Sequence, residues 1–514
     1  MRRLILAAAL LFATHAMAAE VRIGIRTDTD SMDPQYHVFE PTVMVGRHIF
    51  DPLIIKDAQS RLHPGLALSW KPIADDVWEF KLRPNVTFHD GSAFTATDVA
   101  FSIARAPHVP NSPASFGMYT KLIAGVDIID PLTVHIRTKG PAPTLPNDLS
   151  TIAILSKAAA ENSTNADFTS GKATIGTGPY KFVEWVPSDH VSLVKNPTYW
   201  GGAEPWDRVI LKPIANDGAR VAAMLSGDVD MIEAVPGTDR ARIAANPKLT
   251  LWETNSIRMI YIHLDTARDV SPGVTAPGGG NPLKDLRVRQ AITHAINRQG
   301  LADRLLNGQA RPAGQLVPPS LFGASQHLPA PSYDPALSER LLKEAGLGSG
   351  FSITLAASNN RYPNDSAVAQ AVAQMLTRVG IKTEVNTMPA AILFSRGSKL
   401  DFSVFMAGWI ADSGEASSAL TALLASYNPK TGMGPANRGR YSNPAFDATL
   451  GEALHTLDDT KRAALLAKAS EIAMNDVALV PVYFLVNTWA TKKGLTYEPR
   501  ADEMSLAMGL RPTK

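Results

Sequence analysis

A chain of 514 residues with 45% hydrophobic side chains, 50 Lys+Arg and 48 Asp+Glu has the composition of a globular protein with large cores. At about 150 residues per domain the length suggests two to four domains. The absence of cysteine excludes disulfides, thiolate metal sites, iron–sulfur clusters, a cysteine nucleophile and a lipid-modified N-terminal cysteine.

Arg2 and Arg3 precede an apolar run over 4–13, and Ala16-Met17-Ala18 supplies an A-x-A site. This pattern predicts a secretory signal peptide over residues 1–18, cleaved after Ala18. The run falls short of the roughly 20 residues that a bilayer anchor needs. Without residues 1–18 the chain carries 48 basic and 48 acidic side chains. That balance favours neither nucleic acid nor an anionic membrane surface. Export, no later apolar span and no lipid anchor together point to a periplasm.

Val21-Arg22-Ile23-Gly24-Ile25 alternates as a strand. Residues 78–88 read as a hairpin turning at Pro84-Asn85. Thr95 stands three residues before Asp98, the spacing of a capping box, and predicts a helix start. Gly176-Thr177-Gly178-Pro179-Tyr180 reads as a tight turn into a strand, because Pro179 would remove a donor from any phosphate nest. Residues 269–282, with Gly278-Gly279-Gly280 between prolines, read as a surface loop or a hinge.

The later half is α/β. Val288, Ala291, Ile292, Ala295 and Ile296 make one helical face. Asp334-Pro335 starts another helix, and Gly346 stops it. A strand over 351–357, a helical face from Val368 to Val379 and an alternating run from Ile381 form a βαβ unit with parallel strands. A further strand covers 401–409, and Leu465, Ala469, Ile472 and Ala473 mark a late helix.

No catalytic motif is present: no H-E-x-x-H, no G-x-S-x-G, no P-loop. Asp75-Asp76 and Asp458-Asp459 sit in polar turn or helix-start contexts and read as solvated surface. The twelve histidines are scattered singly, which argues against a metal site. No cofactor is implied.

A set of motifs resembles the family 5 solute-binding proteins, the extracytoplasmic receptors of peptide and nickel ABC transporters. They are Leu66-Ala67-Leu68-Ser69-Trp70, Trp78-Glu79-Phe80-Lys81-Leu82-Arg83, Val86-Thr87-Phe88-His89-Asp90-Gly91 and Asp98-Val99-Ala100-Phe101. Gly176 to Tyr180, Asn196-Pro197-Thr198-Tyr199-Trp200-Gly201-Gly202, Ser226-Gly227-Asp228-Val229-Asp230 and Glu344-Ala345-Gly346 continue the match in order. The resemblance implies an α/β, two-lobed periplasmic binding protein fold with a ligand cleft between the lobes. It implies a first lobe over 19–265 with an inserted strand-rich subdomain. A second lobe over 266–485 and a return of 486–514 to the first would complete it. The implied partners are a short peptide or other small solute and the permease subunits of an ABC importer; the implied state is a monomer without catalytic activity. Non-peptide cargo (an opine, a glycoside or a metal chelate) is the alternative within the family, and an exported hydrolase the alternative outside it.

The resemblance also implies site residues. Arg361 matches the position of an arginine that holds a ligand carboxylate, with Tyr362 as a neighbouring wall. Trp409 would offer a flat apolar wall. Ser417 falls where peptide-binding members keep an aspartate for the ligand's α-ammonium. That departure puts a free amine in doubt, with Asp412 and Glu415 as nearby substitutes. Phe39 and Glu40 would reach the cleft from the first lobe.

Overall fold

The computed structural model describes residues 19–513. The expected signal peptide lies outside the described residues. The architecture is mixed α/β in two lobes, and one twelve-stranded sheet runs through both. Its middle is an antiparallel pair of long strands, Leu249–Leu264 and Val480–Lys492. On one side follow Met231–Glu233, Glu20–Ile25, Arg208–Pro213, His190–Lys195 and Tyr180–Val186. On the other lie Val404–Ile410, Phe351–Ser358 and Ile381–Met388.

The long pair is not uniform. Leu249 to Asn255 pair with Lys492 to Val486, and the register then slips before Met259 meets Phe484. The cores change at the same place. Leu249 and Trp252 pack with first-lobe residues, whereas Ile257, Met259 and Ile260 belong to the second-lobe cores. On the partner strand Phe484 and Leu485 belong to the second lobe, and Trp489 and Ala490 to the first. A slip moves side chains to new neighbours, so it marks a joint between two packing units.

The second lobe follows its sequence pattern. Phe351–Ser358, the helix Asp365–Arg378 and Ile381–Met388 form the parallel βαβ unit, with Phe351 beside Ile381. Asp334 caps the helix Pro335–Glu344 by accepting from Leu337. Asp458 caps Asp459–Asn475, which accounts for its acidic pair. In the first lobe the Thr95/Asp98 capping box opens the helix Ala96–Arg105.

The expected hairpin over 78–88 does not form. Val77–Leu82 has both edges occupied, by Ala67–Ala74 and by Thr133–Thr138, within a four-stranded sheet. With no free edge left, Val86 and Phe88 turn inward and are buried in that sheet's core. The 269–282 segment is a loop whose Val274–Thr275 strand pairs with Phe351–Ser358.

The 176–180 turn has a packing reason for its glycines. A Cβ at Gly176 would lie 1.9 Å from the Ile49 carbonyl oxygen, and one at Gly178 would lie 2.6 Å from the Ile49 carbonyl carbon. The turn therefore docks on the end of the helix Glu40–Ile49, and Gly178 donates to Ile49 at 2.9 Å. The C-terminal segment packs on that helix as well. Ala507 donates its amide to His48 Nε2 at 3.0 Å, and Leu506 and Leu510 join the core around Val21 and Ile23.

Candidate functional site: a charged cleft between the lobes

Two adjoining cavities lie where the lobes meet, of about 840 Å³ and 420 Å³. That is the size range of small-ligand sites. Arg26, Arg258, Asn360, Arg361 and Glu503 line both and form the neck between them.

The first lobe brings Arg26, at the end of the strand Glu20–Ile25, and Phe39-Glu40, at the start of the helix Glu40–Ile49. Phe39 stacks on His37 with ring centroids 5.1 Å apart. The 176–180 turn brings Asp51, Tyr199 and Trp200 together. Thr177 and Trp200 donate to Asp51 at 2.9 and 2.8 Å. Tyr199 and Trp200 then line the larger cavity.

The second lobe brings Arg361 on the loop after Phe351–Ser358. Asp365 holds that loop by accepting from the Ser358 hydroxyl at 2.7 Å and the Arg361 amide at 3.0 Å. The loop backbone is thus fixed while the Arg361 side chain is open to the cleft. Its guanidinium has no hydrogen-bond or ion-pair partner among the described residues, and its nearest aromatic face is Tyr362, 5.7 Å away. Tyr362 is buried, accepts from the Gly408 amide at 2.9 Å, and lines the smaller cavity.

Charges here are strongly perturbed. The Arg258 guanidinium donates twice to Glu503, at 2.8 and 2.9 Å, and holds that carboxyl below its usual range against the effect of burial. Arg361 is lowered by desolvation and by Arg258. Glu40 accepts no hydrogen bond among the described residues. Burial, with Glu233, Glu503 and Asp502 nearby, pushes its carboxyl up to about 8, and Arg26 opposes this. Lys56 is lowered to about 8 by burial.

Of the sequence-predicted site residues, Phe39, Glu40, Arg361 and Asp412 line the larger cavity and Tyr362 the smaller. Trp409, Glu415 and Ser417 line neither. Trp409 is half-buried against a second-lobe core, because its strand turns that side away from the cleft. Ser417 is buried and donates its hydroxyl to Glu415. Glu415, 1% exposed, receives Arg462 Nη1 on both oxygens at 2.9 Å. It also accepts from Asn147 of the first lobe at 2.8 Å. These residues clamp one lobe to the other beside the cleft.

Asp412 joins the same contact. Its side chain accepts from Tyr119 at 3.0 Å, and its carbonyl accepts from Lys56. Gly414 has φ +80, and a Cβ there would lie 2.7 Å from the Ser60 carbonyl oxygen of the opposite lobe. Only glycine permits that approach.

Sequence reasoning missed Arg26, Lys56, Arg258, Arg500, Asp502 and Glu503. Arg258 and Glu503 meet only because the C-terminal segment returns to the joint. No local pattern connects two residues so far apart in the chain.

A sequence profile described as bacterial extracellular solute-binding proteins, family 5 Middle, matches residues 61–431. The chain belongs to this family. It is 32% identical over 502 residues to the glutathione-binding protein GsiB of Escherichia coli O1:K1 / APEC, covering 96% of this chain and 94% of that one. The fold is that of HbpA2 from Haemophilus parasuis, with a TM-score of 0.83 at 23% identity over 96% of this chain and 100% of that one. It is also that of the periplasmic binding protein DppA from Helicobacter pylori in complex with the peptide STSA. There the TM-score is 0.76 at 23% identity, over 97% of this chain and 99% of that one. Among the described residues no helix is long and apolar enough to cross a membrane.

Proposed function

We propose that this solute-binding protein captures a short peptide or peptide-like solute in the periplasm and delivers it to the permease of an ABC importer. The observation that carries this reading is the free guanidinium of Arg361, held on a fixed loop at the neck of an interlobe cleft. A guanidinium binds a carboxylate through two parallel charge-assisted hydrogen bonds. Glu40, without a partner on the opposite wall, supplies a carboxyl for a ligand ammonium. The names of the relatives, which bind glutathione or a peptide, support the same class.

Ser417 lines neither cavity, so on this reading a ligand amine is met elsewhere in the cleft. The protein acts as a monomeric receptor, not an enzyme. The hinge lies where the long strands slip register, between Asn255 and Met259 on the outgoing strand and between Phe484 and Val486 on the returning one. Residues 1–18 are the export signal.

The test is a thermal-shift screen of the refolded, ligand-free protein against di- to pentapeptides, glutathione, N-acetylated and amidated versions, opines and glycosides. Ligand at about 100 times its Kd adds about 2.7 kcal/mol of stability. Peptides that stabilise, and lose the effect on amidation, support the reading. A response confined to opines or glycosides refutes it.

A further inference from the structure

Two guanidinium groups at the neck of the cleft have no bonded counter-charge among the described residues. Three guanidinium groups, Arg26, Arg258 and Arg361, line both cavities there, with Glu503 as the one carboxylate that does the same. Glu503 is committed to Arg258 by two hydrogen bonds and also accepts from Ser256 at 3.1 Å. The Arg26 guanidinium, like that of Arg361, makes no hydrogen bond or ion pair among the described residues. Its backbone is nonetheless anchored, because the Arg26 amide donates to Glu233 at 2.6 Å. Glu233 accepts from that amide and from the Ser505 hydroxyl, and its carboxylate makes no ion pair with the Arg26 guanidinium among the described residues.

We infer that Arg26 is a second anion-recognising residue and that the cleft selects solutes bearing two carboxylates, one at Arg361 and one at Arg26. Like charges gathered in a partly dehydrated cleft repel each other, and a doubly anionic ligand relieves that repulsion at both guanidinia. Glu40, which also lines the larger cavity, is biased toward its neutral form by burial and the surrounding carboxylates and makes no ion pair with Arg26 among the described residues. Desolvation lowers Arg361 first, Arg258 lowers it further, and Tyr362 and Glu503 oppose this ahead of a small contribution from Arg26. A ligand with one carboxylate leaves one guanidinium without a counter-charge.

This inference rests on the peptide-like reading, and the experiment separates the two. Affinities of the refolded full-length mature protein are measured by calorimetry for glutathione, Glu-Ala-Gly and Gln-Ala-Gly, and for a dicarboxylate opine and its monoamide. Wild type is expected to prefer the two-carboxylate member of a pair by about tenfold or more, the value of a charged hydrogen bond. In Arg26→Gln that preference collapses toward unity, and Arg26→Lys restores part of it. Arg26 is solvent-exposed, so the variants are expected to fold, which melting curves check. Equal binding of the paired ligands by wild type overturns the inference, and so does a preference that survives Arg26→Gln. An Arg26-dependent preference seen only with opines keeps the inference and refutes the peptide reading.

Discussion

Two second-lobe charges meet the first lobe along the same seam, and they are used in opposite ways. Glu415 is completely enclosed, with Arg462, Asn147 and Ser417 bonded to it. Arg361 stands at the neck of the cleft with its backbone tied down and its guanidinium unmatched. A buried polar group is tolerated when its partners are built in, as they are for Glu415. An unmatched charge in a cleft is tolerated when solvent reaches it, and it becomes valuable when a ligand replaces that solvent. The clamp and the binding wall therefore look alike as sequence, two charged residues in loops before helices, and differ only in who supplies the partner.

The sharpest way to break this comparison is to remove the enclosed charge. Glu415→Ala leaves Arg462, 5% exposed in its side chain, without its buried partner. Loss of one member of a buried pair costs about 3–5 kcal/mol. A large fall in the free energy of urea unfolding is expected, while Arg361→Ala should leave it within about 0.5 kcal/mol of wild type. If the two substitutions destabilised equally, the division between clamp and binding wall would not hold.

Arg361→Ala should instead act on binding. A ligand carboxylate left without its guanidinium is expected to lose about 2–5 kcal/mol of affinity. Calorimetry with the best ligand from the thermal screen measures this directly. Unchanged affinity removes Arg361 from the site.

The clamp can also be loosened from the other lobe. Asn147→Ala deletes a hydrogen bond that Glu415 receives across the seam and leaves the Glu415–Arg462 pair intact. The closed arrangement should lose about 1–3 kcal/mol. Because ligand binds between closed lobes, apparent affinity falls with the population of that state. Small-angle scattering of the ligand-free variant should report a larger radius of gyration than wild type. Identical profiles, with identical ligand affinity, would falsify a role for Asn147 in closure.

How much of this was legible in the sequence depends on range. The βαβ unit, the Thr95/Asp98 capping box and the Asp334 and Asp458 helix starts are set by residues within one or two turns, and each formed as read. The 78–88 hairpin failed because strand pairing is decided elsewhere: Thr133–Thr138 claims the edge that the local pattern left free. The site divides in the same way. Arg361 was reached through the family resemblance of its position, and it lines both cavities. Arg26 carries no motif, and Glu503 acquires its meaning only from Arg258, on the far side of the second lobe in sequence. Trp409, Glu415 and Ser417 were placed in the right segment, but which side of that segment faces the cleft depends on how the 410–416 turn meets Ser60 of the opposite lobe. Linear order does not encode that contact.

Glu40 lies between the two cases: half-buried where Glu415 is fully enclosed, and unmatched like Arg361. Its ordinary value of 4.5 is raised to about 8 by burial, then by Glu233 and Glu503, with Asp502 adding and Arg26 opposing. A raised carboxyl means that the folded protein holds the proton more tightly than the unfolded chain does. Below about pH 4.5 both states are protonated and the group costs nothing; as pH rises toward 8 the unfolded chain gains from ionising, so folded stability falls. Glu40→Gln removes that penalty. It should therefore melt with wild type at pH 4 and above wild type at pH 8.5, with the gap opening between. Parallel melting curves across this range would mean that Glu40 is already matched. A ligand ammonium seated against Glu40 favours the ionised carboxylate, and binding near neutral pH should then expel a proton. Calorimetry in buffers of different ionisation enthalpy detects that proton, and its absence from Glu40→Gln assigns it. An amine ligand that binds wild type without releasing a proton would place its ammonium elsewhere in the cleft.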